Sequence, residues 1–441
     1  MIDRLRAFAG ARLTRLFAGT FAVAATSRLL LFLMTVMLGR QFGPDGLGTF
    51  TFATGAAMLI GFAATLGWPN LMVRFIPQYL HDRDWSRLKG LVRTGAIVVL
   101  VSSILASAIL ALVSRWPGLR PEISTGLLLA AVATLPFALR KLRRQQLAAF
   151  QRPALGLFLD EALAPALVIL VLLVTPIADP AIAIYVYSAT GLVAAMLGAV
   201  ALARLMPAET RHVAPLSEPS RWMGIALPTV LGLAGYQLMN KADVLMLAPL
   251  STFDEVGAYG AAFRITYLLT FPQVVLATVV TPVFARLVAA GNVAGLRRRY
   301  RMSFGFALVT SAPLAAVLAA FPHFVMTIAF GEAFGTPSAT WSLAILALGQ
   351  TFTALAVPTQ GLLLVSGRER AFGAINGAAL VINIALNLLL IPPLGAIGAA
   401  IASASSAAFV FVLQFARALA VLRGGLHREP ASDPDANGKP E

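Results

Sequence analysis

Residues 39–53 read GRQFGPDGLGTFTFA, and residues 248–262 read APLSTFDEVGAYGAA. Each stretch lies between two long apolar runs. Superposed at a constant offset of 209, Leu38 falls on Leu247, Asp45 on Asp254, Gly48 on Gly257 and Ala53 on Ala262. Leu47 and Phe50 meet Val256 and Tyr259 in the same alignment, and no gap is needed. One glycine-rich connector thus occurs twice, half a chain apart, which is the signature of an internal duplication.

The surrounding composition sets the medium. The chain is 59% hydrophobic and only 12% charged, with a mean hydropathy of +0.82 over 441 residues. A water-soluble chain of this length needs more polar surface to cover its core. Apolar runs of roughly 18–25 residues match a hydrocarbon slab about 30 Å thick. The expected fold class is an all-α polytopic membrane protein of about twelve transmembrane helices in two parallel six-helix bundles. The expected spans are 18–38, 49–67, 94–113, 124–144, 155–175, 180–203, 223–247, 256–279, 302–321, 338–359, 371–391 and 395–416. Arg4, Arg6, Arg12 and Arg15 precede the first span, which is read as an uncleaved helix rather than a signal peptide because it is long and carries Arg28.

Basic residues orient these spans. With a cytoplasmic N-terminus, 28 of the 34 Lys and Arg fall in cytoplasmic segments, and the outer loops hold only Arg40, Arg115 and Arg120. That asymmetry follows the positive-inside rule and predicts both termini in the cytoplasm. It also accounts for the net charge of +15 without a nucleic-acid partner. Each connector copy then joins the first and second helices of a six-helix half. Because six is even, the halves enter the membrane with the same orientation, as in transporters that rock two bundles about a central site. The expected organisation is an N-terminal lobe over 1–205, a polar, Pro-rich cytoplasmic linker over 206–221, a C-terminal lobe over 222–422 and a disordered tail over 423–441.

Several chemistries are excluded. There is no cysteine, so disulfides and thiolate catalysis are absent, and His81, His212, His323 and His427 have no metal-ligand spacing. No phosphate-binding loop of the GxxxxGK[ST] type occurs. Asp82-Arg83-Asp84 is the one enzyme-like triplet, and in a short connector without a nucleotide-binding fold it reads as a solvated turn. No cofactor or metal is expected.

Charges inside the spans are the informative residues, because each costs about 2.5–3.5 kcal/mol at a helix centre. Arg28 lies in helix 1, Asn240, Lys241 and Asp243 in helix 7, and Arg264 in helix 8. They must face a polar interior or one another. Two readings follow: an Asp243–Lys241/Arg264 ion-pair cluster that locks helices together, or a water-filled cavity with surplus positive charge for an anionic substrate. Arg28, with no acid at comparable depth in its helix, points to the cavity. Arg140 and Arg144, with Lys141 and Arg143, end helix 4 and are either snorkelling residues or the mouth of that cavity. Asp160 and Glu161 open helix 5 as pairing partners for them. Asp243, Asp160 and Glu161 are the candidates for ion coupling or charge pairing. Asn376, Asn383 and Asn387 form a stripe on helix 11, suited to interhelical hydrogen bonding or cavity lining.

These local patterns resemble a known family. RQFGPDGLGTF (40–50) is similar to the Arg-x-Leu-Gly-Pro connector that follows helix 1 in polysaccharide flippases. ADVLMLAPLSTFDEVGAYGAAFRI (242–265), IAFGEAF (328–334), LLVSGRER (363–370) and LNLLLIPPLGAIGAAIASA (386–404) resemble later segments of the same proteins, in order. The resemblance is to the Wzx-type oligosaccharide-lipid flippases of the MOP exporter superfamily. It implies alternating access in a bacterial inner membrane and a polyprenyl-pyrophosphate-linked oligosaccharide as cargo for surface polysaccharide. It also implies a polysaccharide polymerase and glycosyltransferases as neighbours. Arg28 and Arg264 match positions where such proteins carry bases, and Asp243 a common acidic one. Lipid II flippases have fourteen helices, and no extra pair is found here. The alternatives are a cation-coupled small-molecule exporter, which calls for an acid-dominated cavity, and a membrane ligase, which calls for a large outer loop.

Overall fold

Gly43 breaks the first helix. The computed structural model describes residues 2–175, 179–239 and 241–424, and α1 (Ile2–Ala64) is helical throughout except at this glycine, where φ is 69° and ψ is −171°. Its apolar stretch, Gly19–Ala64, has 46 residues. Straight, it would measure about 70 Å, more than twice the hydrocarbon thickness. The Gly43-Pro44 step therefore divides it into the first two crossings. A positive φ suits glycine, and Pro44 can start the second segment because a first-turn N–H has no helical partner.

The second crossing is longer than expected. It bends at Gly67 (φ 78°) and continues as α2 (Trp68–His81), where the sequence suggested a polar connector. Its apolar side chains recur with helical period, so that Trp68, Leu71, Met72, Phe75, Ile76 and Tyr79 are all buried. A search for uniformly apolar runs misses such an amphipathic segment. Asp82-Arg83-Asp84 is the turn that follows, and Asp84 caps α3 (Trp85–Val113) by accepting from the Arg87 N–H at 3.0 Å.

Four further helices complete the first half. They are α4 (Pro121–Ala149), α5 (Pro153–Leu157), α6 (Leu163–Val174) and α7 (Pro180–Leu205), with a single π-helical turn, Phe158–Ala162, between α5 and α6. The linker lies along α3. Leu216 N–H donates to Ser86 O at 3.0 Å, and Lys89 Nζ to Val213 O at 2.8 Å. Glu218, outside the spans, accepts from Arg221 at 2.7 Å and Arg87 at 3.0 Å. Those hydrogen bonds hold its carboxyl below the usual carboxylate range.

The second half begins with α8 (Pro219–Met239), whose Trp222 packs edge-on against Trp68 at 5.8 Å. The seventh span, expected to be continuous, is broken: α8 ends at Met239, and α9 (Ala242–Leu250) restarts after Lys241, which has φ −127° and ψ −10°. Asn240 and the tail beyond Gly424 lie outside the described residues. The eighth span comprises α10 (Phe253–Tyr267), a 3₁₀ turn at Leu268–Thr270 and α11 (Phe271–Ala289). Then come α12 (Val293–Ala320), α13 (Pro322–Phe330), α14 (Pro337–Val365), α15 (Glu369–Leu394) and α16 (Ala396–Gly424). Among the described residues, ten helices are long and apolar enough to cross a membrane. Dividing the first at Gly43 and joining α8 to α9 gives twelve crossings of an all-α membrane protein.

The duplicated connector is the crossing point of the halves. A Cβ on Gly48 would lie 1.9 Å from the Phe253 carbonyl oxygen, and one on Gly257 1.9 Å from that of Pro44. Phe253 is 209 residues after Pro44, so the two contacts are the same contact seen from either half. Gly260 meets its own counterpart, Thr51, where a Cβ would stand 2.9 Å from the hydroxyl. Only hydrogen at these positions lets the two backbones touch. Around them Leu38, Leu47, Phe50, Val256, Tyr259 and Ala262 are buried in one core drawn from both halves.

This end of the bundle is also tied by arginines. Arg40 donates through Nε to Ala329 O at 2.9 Å and through Nη2 to Ile328 O, at the end of α13. Arg120 donates through Nη1 to Ser251 O at 2.7 Å and through Nη2 to Ala248 O, at the end of α9. Both arginines belong to the first half and both acceptors to the second. They fill last-turn carbonyls that a helix leaves without partners.

Candidate functional site

The break after Met239 and the 3₁₀ turn at Leu268–Thr270 border a cavity of about 410 Å³ that lies almost wholly within the second half, with α1 of the first half closing one side. Arg28 enters it from α1, Asp243 from α9, Tyr267 from α10 and Gln273 from α11. Gln350 and Asn383 reach it from α14 and α15.

Asp243 is buried, yet no cation pairs with it among the described residues. Tyr259 Oη donates to its Oδ2 at 2.5 Å, and Ser403 Oγ donates to the same oxygen. Asn387 Nδ2 and Asn383 Nδ2 donate to its Oδ1 at 2.8 and 3.2 Å. Four neutral donors from three helices replace the hydration of the carboxylate, the condition for burying it without a counter-ion. The ion-pair reading, Asp243 with Lys241 or Arg264, is therefore not what is found. The helix 11 stripe divides: Asn383 and Asn387 serve Asp243, while Asn376 donates to Phe372 O in its own helix at 2.8 Å and faces the cavity. Asn387 Oδ1 is buried with no partner among the described residues. Among the described residues no cluster of three or more His, Cys, Asp or Glu stands ready for a metal.

The basic residues gather elsewhere. The π turn at Phe158–Ala162 inserts an extra residue into its helix and carries Asp160 and Glu161 to the end of α4. Lys141 Nζ lies 2.8 Å and Arg144 Nη1 3.1 Å from Asp160 Oδ2, and Arg144 also pairs with Glu161. Arg140, fully buried, donates to the Asp160 carbonyl at 3.0 Å and to Tyr187 Oη at 3.3 Å. Its guanidinium stands 5.1 Å over the Tyr187 ring.

From Tyr187 the charge continues inward. Arg264 feels Tyr187 and Tyr267 as its electrostatic neighbours. Arg28 lies 5.4 Å over the Tyr267 ring. Arg140, Tyr187, Arg264, Tyr267 and Arg28 thus follow one another as a string of guanidiniums alternating with phenols, and the Arg140–Tyr187 and Arg28–Tyr267 contacts each supply cation–π support of about 0.5–2 kcal/mol. Lys241, at the break between α8 and α9, sits beside it. The charged groups that act on Lys241 through space are Arg264 and Lys141, both cations.

Six cations therefore stand against three carboxylates in and around the cavity: Arg28, Arg140, Lys141, Arg144, Lys241 and Arg264 against Asp160, Glu161 and Asp243. Among the described residues, Arg28 Nη1, Arg140 Nε and Arg264 Nε are buried N–H groups with no acceptor. Each such orphan costs at least about 1–3 kcal/mol. A site of this kind calls for an anion with several oxygens. Of the residues singled out from sequence, Arg28 and Asp243 line the cavity, whereas Lys241 and Arg264 are not among its lining residues and neighbour each other. Arg140 and Arg144 lie further along the string, engaged with Asp160 and Glu161. Asn240 falls outside the described residues. Tyr187, Tyr267 and Gln273 were not anticipated. Tyr267, three residues after Arg264 on the same helical face, carried the readable signal.

Comparison with known proteins places this geometry in context. The model of the polysaccharide biosynthesis protein family matches residues 15–288, and that of the MatE family residues 228–389. Among solved structures, an inward-facing multidrug resistance MATE family transporter of the MOP superfamily superposes with a TM-score of 0.75 at 15% identity, covering 92% of this chain and 96% of its own. The lipid II flippase MurJ, in an inward closed conformation, gives 0.68 at 14% identity, with 90% and 87% covered. A MOP superfamily transporter from Pyrococcus furiosus, described as having a binding pocket of reverse polarity, gives 0.61 at 16% identity, with 93% and 95% covered. No curated protein matches the chain in sequence.

Proposed function

This chain belongs to the polysaccharide biosynthesis protein family and is a MOP-superfamily transporter, not an enzyme, and from that premise we propose that its cargo is a polyprenyl-pyrophosphate-linked oligosaccharide. The observation that carries the reading is the run of cations from Arg140 to Arg28, with Arg140 and Arg28 over tyrosine rings and buried N–H groups that have no acceptor among the described residues. Bare pyrophosphate is too costly to move through hydrocarbon, by tens of kcal/mol in the idealised limit. Guanidiniums fixed in a low-dielectric cavity replace its hydration, and their forked donors match phosphoryl oxygens. The glycan then occupies the cavity, beside Gln273, Gln350 and Asn376, while the prenyl chain stays in the bilayer between the halves.

In this reading the two lobes, about 1–205 and 222–422, rock around the Gly48–Gly257 crossing. The positive-inside asymmetry supports cytoplasmic termini; in this reading the membrane is a bacterial inner membrane, and cargo moves outward for surface polysaccharide synthesis beside the enzymes that build and polymerise it. Asp243, held by neutral donors, is the group through which a proton or cation would couple to transport. A second reading, export of cationic small molecules, is favoured by that carboxylate in the cavity wall and by the MATE-like fold. The excess of bases over acids opposes it.

Binding decides between them. The purified protein should bind a short-chain polyprenyl pyrophosphate at least tenfold more tightly than the matching polyprenol. Arg28→Ala with Arg264→Ala should remove that preference. Equal binding of the neutral alcohol, or preferential binding of a lipophilic cation, contradicts the proposal.

A further inference from the structure

We propose that the outer groove between α11 and α12 is a binding site for an anionic phospholipid of the surrounding bilayer, with the acyl chain along the groove and the phosphate on Arg299. The groove, about 330 Å³, is walled by Val275, Val279, Val283 and Phe284 of α11 and by Met302 and Phe306 of α12, with Arg299 and Ser303 at one end. On α11 it covers residues 275–284, about 14 Å of helix. That is close to the hydrocarbon depth of one leaflet, half of about 30 Å.

Its polarity runs the way a lipid does. Phe284 packs against Tyr300, with ring centroids 6.4 Å apart, so the Val283 end meets Arg299 near the 290–292 turn, and the Val275 end meets Phe306 deeper in. Arg286, Arg298, Arg299 and Arg301 are all exposed around the turn end. From residue 256 to 331 the chain contains six arginines and not one Asp or Glu. Arg297 is occupied, donating to Leu422 O at 2.7 Å. Arg299 makes no side-chain hydrogen bond or ion pair among the described residues. A basic mouth above an apolar groove between two membrane helices is the arrangement that recognises an acidic headgroup.

The occupant is distinct from the cargo's own chain on geometric grounds. α11 turns Gln273, Val274 and Ala277 to the central cavity and Val275, Val279 and Val283 to the groove. At 100° per residue these are nearly opposite faces. The helix that carries the cavity's buried Gln273 is thereby braced from outside, just after the 3₁₀ turn and Pro272 where it joins α10. A lipid wedged there holds α11 in place and makes transport sensitive to the anionic lipid content of the membrane.

The test uses the full-length protein in phosphatidylcholine vesicles doped with phosphatidylglycerol bearing a diazirine in its acyl chain, or with the matching phosphatidylcholine probe. Labelled residues are mapped by peptide mass spectrometry. The phosphatidylglycerol probe should mark residues 275–284 and 299–306 several-fold more than the phosphatidylcholine probe. Arg299→Ala should reduce that labelling about fivefold, the effect of one basic residue at a membrane surface. Val279→Trp should abolish it by filling the groove while the unfolding temperature is kept. Equal labelling by both probes, or labelling indifferent to Arg299, would mean ordinary boundary lipid and overturn the proposal. So would displacement by polyprenyl pyrophosphate but not by unlabelled phosphatidylglycerol.

Discussion

Asp243 and Arg28 face the same cavity, and the contrast between them governs what each does. Asp243 has its hydration replaced by Tyr259, Ser403, Asn383 and Asn387, whereas Arg28 keeps a buried N–H without an acceptor among the described residues. The first is a satisfied charge and the second an unsatisfied one. Asp243→Lys would place an ammonium among four donors, and leaving a buried charge without its partners costs about 3–5 kcal/mol. The variant is expected to lose transport and to unfold at lower temperature, whereas Asp243→Asn, which keeps the shape, should fold and lose only its dependence on pH or on a coupling cation. Transport assays at matched protein levels, run across pH and Na⁺ concentration, check both. Wild-type behaviour of Asp243→Lys would exclude the assigned role. The sequence showed these charges and their depth. Positions two apart, such as Lys241 and Asp243, point away from each other even on an unbroken helix; what the sequence did not show is the break between α8 and α9, because no periodicity announces a broken helix.

At the scale of elements, Gly48 and Gly257 decide whether the halves can meet. With a Cβ on either standing 1.9 Å from a carbonyl oxygen of the other half, even alanine forces the backbones apart. Gly257→Leu should lower stability by about 1–3 kcal/mol or more, the usual cost of overpacking. Gly305→Ala, on α12 with nothing within 4 Å, should have almost no effect. Thermal unfolding of both variants in detergent separates the two outcomes. The duplicated connector made this seam legible, since its aligned apolar pairs, Leu38 with Leu247, Leu47 with Val256, Phe50 with Tyr259 and Ala53 with Ala262, lie in the shared core, while Asp45 and Asp254 are exposed. The other elements were read from apolar length alone. That criterion finds α12 and α15, but it stops the second crossing at residue 67, because α2 hides its buried face among Asn70, Arg74 and Gln78. It is equally blind to the π turn that brings Asp160 to Arg144, for a π turn has no sequence signature comparable to a cap or a proline.

For the molecule as a whole, the halves are fastened at the connector end by the Gly48–Gly257 crossing and by Arg40 and Arg120, while the cavity lies within the second half against α1. A charge-assisted hydrogen bond contributes about 1.5–3 kcal/mol. Arg40→Ala combined with Arg120→Ala should therefore shift the conformational balance at least tenfold toward a state open at that end. The chain has no cysteine, so spin labels on a cysteine pair placed across the seam report that shift cleanly, and an unchanged distance distribution would show that the arginines do not act as a clasp. The central claim is that the cation string moves a pyrophosphate. It is tested most directly in proteoliposomes holding the purified protein and a fluorescent polyprenyl-pyrophosphate oligosaccharide, by following the fraction of glycan that becomes accessible from the opposite face. The account predicts protein-dependent translocation that falls at least tenfold in Arg28→Ala/Arg264→Ala at equal protein content. Undiminished translocation by that double variant would contradict it.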